Sequence, residues 1–139
     1  MLRTWQGRVG AAQGDETGRL TARHFMGIVS DSIPNLLALT GGADRSRASN
    51  VGGAALEYRF VYRGAPRVGD VLTLRSGLKQ VSAKTYTWCH WLFDLATGHA
   101  VATAEAVAIA LDLEQRRAIP IPDAMRTDLE ARVIDGLGV

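Results

Sequence analysis

The sequence predicts an α+β domain in which a curved antiparallel sheet of about five strands wraps one central helix, with a short helix near the C-terminal end. Three observations point to this. A single long helical stripe lies in the first third of the chain. The apolar period then changes from about 3.6 to about 2 after residue 53 and stays there to residue 113. No helical pattern interrupts the later strands, as a doubly wound α/β sheet would require. With 139 residues the chain has the size of one domain, and residues 1–139 are read as a single unit.

Thr4 to Ala12 is a weakly alternating strand that ends in the polar, turn-prone Gln13-Gly14-Asp15-Glu16-Thr17-Gly18. From Thr21 to about Leu39, the residues Ala22, Phe25, Met26, Val29, Ile33, Leu36 and Leu37 recur three or four apart, which makes a wide helical stripe. Thr21 can cap the start of this helix, and Gly41-Gly42 can end it. Pro34 inside it predicts a kink or a break. Residues 41–53 are rich in Gly, Ser, Asn, Asp and Arg and are expected to form an exposed, mobile connection.

Leu56, Tyr58, Phe60 and Tyr62 then share one side of a strand, opposite Glu57, Arg59 and Arg63. Val71, Leu72, Leu74 and Leu78 mark the next strand, with a turn over Lys79 to Lys84. Thr85 to Asp94 is dense in Thr, Tyr, Trp and Phe, the residue types that suit a pleated surface. Ala96-Thr97-Gly98 supplies a hairpin loop before a long strand from His99 to about Leu113, whose many alanines invite close packing by another element. After the Pro120-Ile121-Pro122 stop, Met125, Leu129, Val133 and Ile134 outline the terminal helix.

Composition excludes several functional classes. Sixteen Lys and Arg against fourteen Asp and Glu leave a net charge of +2, and the basic residues are scattered, so neither a nucleic-acid surface nor a polybasic membrane contact is expected. One cysteine, Cys89, cannot form an intramolecular disulfide or build a zinc site by itself, so no metal is expected. No apolar run approaches the roughly 18 residues of a membrane span, and the first residues lack an apolar signal core. The cytoplasm is the expected location. Cys89 and His90 are neighbours on a strand and point to opposite faces, which argues against a cysteine nucleophile with a histidine base. Trp88, Trp91 and Phe93 are expected in the core and at interfaces.

Three motifs carry a resemblance to a known family. Asp15-Glu16-Thr17-Gly18-Arg19-Leu20 is similar to an Asp-x-x-Gly signature between a first strand and a helix. Glu57 to Tyr62, followed by Val68-Gly69-Asp70-Val71-Leu72, is similar to a strand, turn and strand entry. Phe93-Asp94-Leu95-Ala96-Thr97-Gly98 with Val101-Ala102 is similar to a hairpin of the same family. Together they resemble the hot-dog fold thioesterases similar to 4-hydroxybenzoyl-CoA thioesterase, over roughly residues 4 to 113.

The resemblance implies hydrolysis of an acyl-CoA or acyl-carrier-protein thioester without a cofactor. It also implies that Asp15 is the nucleophile or general base, and that a homodimer, in some relatives a tetramer, places the site between subunits. The chemistry is consistent, because helix N–H groups can polarise a carbonyl beside a carboxylate. The amides of Ala22 and Arg23 are candidate donors, Gly18 would permit close backbone approach, and Gln13 and His24 would line the substrate. Arg63, Ser82 and Lys84 are candidates for the coenzyme A phosphates, as are Arg116 and Arg117. Gln13 stands where the family often has a second acid, Arg19 where an apolar residue or His is usual, and His24 where Asn is common. Two other functions on this fold are a hydratase or dehydratase, whose nominal His24–Asp31 pair is too far apart along a helix for direct contact, and a non-catalytic acyl-CoA-binding module.

Overall fold

The computed structural model describes residues 1–139. Strand β1 (Leu2–Arg8) leads through a single 3-10 turn (Ala11–Gln13) to helix α1 (Ala22–Thr40) and a short helix α2 (Gly42–Ser49). The strands β2 (Val51–Tyr62), β3 (Val71–Val81), β4 (Thr85–Asp94) and β5 (Ala100–Asp112) follow. The chain closes with β6 (Arg117–Ile119) and helix α3 (Asp123–Glu130). The sheet is antiparallel in the order β1-β3-β4-β5-β2, and β6 pairs with the far end of β5 beside β4. The expected sheet around a central helix is present, with six strands instead of about five.

Helix α1 follows the expected limits because its ends are chemically marked. The Thr21 hydroxyl accepts from the His24 amide, and Gly41 adopts φ +71° to close the last turn. The helix runs unbroken through Pro34. Pro34 and Ser30, four residues before it, both lie on the exposed side, where water can satisfy the carbonyl that proline leaves without a donor. Phe25, Ile28, Val29 and Leu36 are buried, and the first three pack on Leu72, Leu74, Leu92, Ala102 and Ala104 of the sheet. Phe25 also meets Phe60 and Tyr62 edge to face, with centroids 5.3 and 5.7 Å apart.

Several expectations need correction. Residues 41–53 are not a loose connection: they form α2 and the start of β2. Propensity is weak there, and tertiary contacts decide. Arg45 reaches the carbonyl of Thr40 and forms an ion pair with Asp128 of α3 at 3.0 Å. Asp44 near the start and Arg47 near the end of α2 pair with each other and suit the helix dipole. Asn50, at φ 55°, then turns the chain into β2.

A bulge between Ala55 and Glu57 leaves Leu56 without a partner on β5, so Leu56 is 64% exposed and does not share the face of Tyr58, Phe60 and Tyr62. β1 stops at Arg8, short of Ala12, and β3 extends through Lys79 to Val81 where a turn was expected. The terminal helix stops at Glu130. Beyond it Val133 makes a parallel bridge with Leu78, and the Ile134 amide donates to the Leu78 carbonyl, so the chain lies along the edge of β3 that β1 leaves open.

Strand β5 shapes the interior. Ala102, Ala104, Ala106, Ala108 and Ala110 alternate along it and all face the helices. Ala102 and Ala104 admit α1 closely, while Ala108 and Ala110 join a second cluster with Leu78, Tyr86, Ile121 and Leu129 under α3.

Candidate active site

Asp15 sits in a loop whose local sequence fixes it. The Asp15 amide donates to the Arg19 carbonyl at 2.8 Å and the Gly18 amide donates back to the Asp15 carbonyl at 3.0 Å, closing a small turn. Gly18 has φ +74°, which explains glycine at this position by backbone conformation. The turn is pinned to the β2–β3 connection: Leu20 donates to Pro66 and Val68 donates to Gly18. Asp15 Oδ1 accepts from the Thr17 hydroxyl at 2.6 Å, the Thr17 amide at 2.8 Å and the Arg19 amide at 3.1 Å. These donors, with the Thr17 hydroxyl foremost, hold the carboxyl below the usual aspartate range, and the Arg19 charge adds to the effect. Oδ2 has no partner and the side chain is exposed. The result is an anchored, ionised carboxylate with one oxygen free.

The other candidates around this loop have mixed placements. Ala22 and Arg23 begin α1, where amides lack intrahelical acceptors. His24 Nδ1 lies 2.6 Å from the Thr21 hydroxyl, and its ring does not bond Asp31. The Gln13 side chain accepts from the Gly10 amide at 2.9 Å and caps the 3-10 turn. Arg63 follows β2 at this same end of the sheet and lies over Trp91 at 5.4 Å. Ser82 and Lys84 are elsewhere: they form the β3–β4 turn, in which Ser82 bonds Thr85. From Thr85 to Trp91 is about 20 Å along β4. One chain therefore does not bring Arg63, Ser82 and Lys84 together.

An apolar cavity lies at the opposite end from Asp15. It measures about 330 Å³ and lies between the second half of α1, helices α2 and α3, and the sheet. Tyr86, Trp88, His90, Ala106 and Ala108 line its sheet side, and Ile33, Leu36 and Leu37 line its helix side. Gly53 is needed beside it, because a Cβ there would collide with the Tyr86 hydroxyl. At the rim Asp128 accepts from both Arg45 and Arg132, and both arginines also donate to the Thr40 carbonyl, which ties α1, α2 and α3 together. Ile33 is about 18 Å along the helix axis from Thr21, so Asp15 does not line this cavity in its own chain.

The alternation of β4 separates its aromatic residues. Trp88 packs against the second buried cluster, as expected, and also lines the cavity, whereas Trp91 and Phe93 stack at 6.1 Å on the other side of the sheet. Cys89 is on that far side also, fully buried, with its thiol pushed up to about 11 chiefly by burial. His90 faces the cavity, as the opposed orientation of the pair requires. Its ring is held neutral by burial, which lowers its pKa to about 4. Sequence reasoning set His90 aside; the signal was Ser76 on the neighbouring strand, legible only once the register pairs the two. No group of three or more His, Cys, Asp or Glu converges as a metal would need.

A long helix held by a curved antiparallel sheet is the hot-dog arrangement. The model of the Thioesterase-like superfamily matches residues 9–129, and the chain belongs to that family. Among curated proteins, none matches this sequence. Solved structures share the fold at low identity. The probable thioesterase YbaW from Escherichia coli is 20% identical with a TM-score of 0.85, and the match covers 96% of this chain and 100% of that one. The protein SAV2348 from Staphylococcus aureus, solved in complex with CoA, is 17% identical with a TM-score of 0.78, over 94% and 85% of the two chains. Slr0204 from Synechocystis, a 1,4-dihydroxy-2-naphthoyl-CoA thioesterase, is 16% identical with a TM-score of 0.73, over 91% and 94%.

Proposed function

We propose that this protein is a cytoplasmic acyl-CoA thioesterase that works as a two-fold dimer of single hot-dog units, with Asp15 of one subunit serving the acyl cavity of the other. The observation that carries this reading is the anchored Asp15 carboxylate, held through Oδ1 with Oδ2 free, in the loop that leads into the start of α1. Family membership and the CoA complex of the S. aureus neighbour support a CoA ester as substrate.

Features of the sheet edge support the dimer. β2 is an edge strand, twelve residues long, with one side unpaired. Met26 and Leu37 on α1 and Tyr58 on β2 are exposed apolar groups, and Leu37 and Tyr58 border the same cavity. A two-fold axis across β2 would pair it antiparallel with its copy. That operation sets the beginning of one β2, where the cavity lies, against the end of the other, where the Asp15 loop and Arg63 lie. It also brings Arg63 of one chain toward Ser82 and Lys84 of the next, a basic group suited to coenzyme A phosphates.

In the reaction, the Ala22 and Arg23 amides would hold the thioester oxygen as it gains negative charge. Oδ2 either attacks the carbonyl carbon itself or takes a proton from an attacking water. The C–S bond then breaks and coenzyme A leaves as the thiol; on the base route the water's oxygen passes directly into the free acid, and on the nucleophilic route a water hydrolyses the aspartyl anhydride to release it. A panel of acyl-CoA esters assayed for thiol release tests the reading, with Asp15→Ala expected to lose activity while keeping the fold. Full activity of that variant would remove Asp15 from the mechanism. A purely monomeric protein in sedimentation would remove the shared site.

A further inference from the structure

In the wall of the cavity one fully buried polar atom has no partner. His90 is fully buried and lines the cavity, and its Nε2 makes no hydrogen bond. Its other nitrogen is committed: Nδ1 lies 2.8 Å from the Ser76 hydroxyl. Ser76 in turn lies 2.8 Å from the Thr4 hydroxyl, which reaches the Leu74 carbonyl at 3.4 Å. All three side chains are buried. The chain of hydroxyls fixes the imidazole through Nδ1 and leaves Nε2 as the one ring nitrogen without a partner, in a side chain that forms part of the cavity wall. A buried nitrogen without a partner is costly, and a leucine or phenylalanine would fill this position without that cost.

From this arrangement we propose that His90 is a specificity residue, its Nε2 reading a hydroxyl carried along the acyl group. This deepens the thioesterase reading and rests on it for the identity of the acyl ligand. A hydroxyl fits both protonation patterns of the network. If Nδ1–H donates to Ser76, Nε2 is an acceptor and the ligand O–H donates to it. If Ser76 donates to Nδ1, Nε2–H donates to the ligand oxygen. The surrounding wall is apolar where Ile33, Leu36, Ala106 and Ala108 stand. A hydroxyl placed against that apolar wall would be left unpaired, so the site discriminates by position as well as presence.

The test is binding, read separately from turnover. The Asp15→Asn variant is titrated with pairs of acyl-CoA esters of equal chain length that differ by one hydroxyl moved along the chain. One position is expected to bind about ten-fold more tightly than the plain ester, and His90→Phe is expected to abolish that preference while binding the plain ester at least as well. In labelled protein, the ¹⁵N resonance of His90 Nε2 is expected to shift with the hydroxylated ester and to stay still with the plain one. This measurement needs no substitution at His90. Equal binding of plain and hydroxylated esters at every position would overturn the proposal, as would a preference that survives in His90→Phe. Absence of turnover in the wild-type protein, with the hydroxyl preference intact, would reject the hydrolase reading and leave the role of His90 standing.

Discussion

Ala106→Leu is a direct probe of what the cavity holds. Ala106 is 4% exposed, lies on the helix-facing side of β5 and forms part of the cavity floor beside Trp88 and Tyr58. Leucine adds three carbon atoms that point into about 330 Å³ of space. The protein should tolerate it, because the new atoms enter the cavity rather than packed core. An acyl chain that uses the whole cavity must then give up about three methylene contacts. At roughly 0.8 kcal/mol per buried methylene the loss is about 2.4 kcal/mol, or on the order of fifty-fold in kcat/KM for the longest good substrate. Esters too short to reach Ala106 should be hydrolysed as before, so the chain-length optimum moves down. The assay is kcat/KM across a series of acyl-CoA esters, with thermal unfolding to verify the fold. An equal fall at every chain length, or an unchanged optimum in a folded variant, would refute the assignment of this cavity to the acyl group.

Three further outcomes follow from the charged and buried groups. Thr17→Val removes the foremost donor to Asp15, so a ¹³C titration of the Asp15 carboxyl should show its depressed pKa rising toward the ordinary aspartate value of about 3.9; no movement would show that the hydroxyl does not hold the charge. His90 is depressed from 6.5 to about 4, so the unfolded chain binds its proton first on acidification. The associated stability is present above pH 6.5 and declines as pH falls toward 4, by about 3 kcal/mol, and denaturant titrations of His90→Gln should lack that slope. Cys89 is fully buried with a raised pKa, so iodoacetamide should label it only after unfolding; rapid native labelling would place it elsewhere.

What the sequence made legible was set by local chemistry. The ends of α1 were readable because Thr21 and Gly41 close them within a few residues, and β4 because its aromatic and β-branched residues suit a pleated surface. Asp15 could be placed for the same reason, since the donors that hold it are Thr17 and Arg19. The parts that stayed hidden depend on distant partners. Helix α2 has poor intrinsic propensity and is held through Arg45 to Asp128, far along the chain. The exposure of Leu56 follows from one extra residue in β2 relative to β5, and a bulge shifts a strand pattern without changing its composition. The three residues chosen for coenzyme A, Arg63, Ser82 and Lys84, separate for a related reason: composition says which residues can meet a phosphate, and topology says which end of the sheet each occupies. The cavity was invisible for a further reason, because it is defined by residues from three helices and three strands, and His90 matters only through a register that no single segment encodes.

The loop around Asp15 also makes its two carboxylate oxygens chemically distinct. Three donors grip Oδ1, and rotation of the carboxylate would have to break all of them at once. A nucleophilic route would therefore form its acyl anhydride through Oδ2 alone, and hydrolysis at the aspartyl carbon would restore oxygen from solvent to that same position. During many turnovers in ¹⁸O water, the Asp15 peptide would then gain one heavy atom and no more, while a general-base route would leave the peptide unlabelled and send the isotope into the free acid. The grip on Oδ1 thus writes the history of the reaction into the mass of a single side chain.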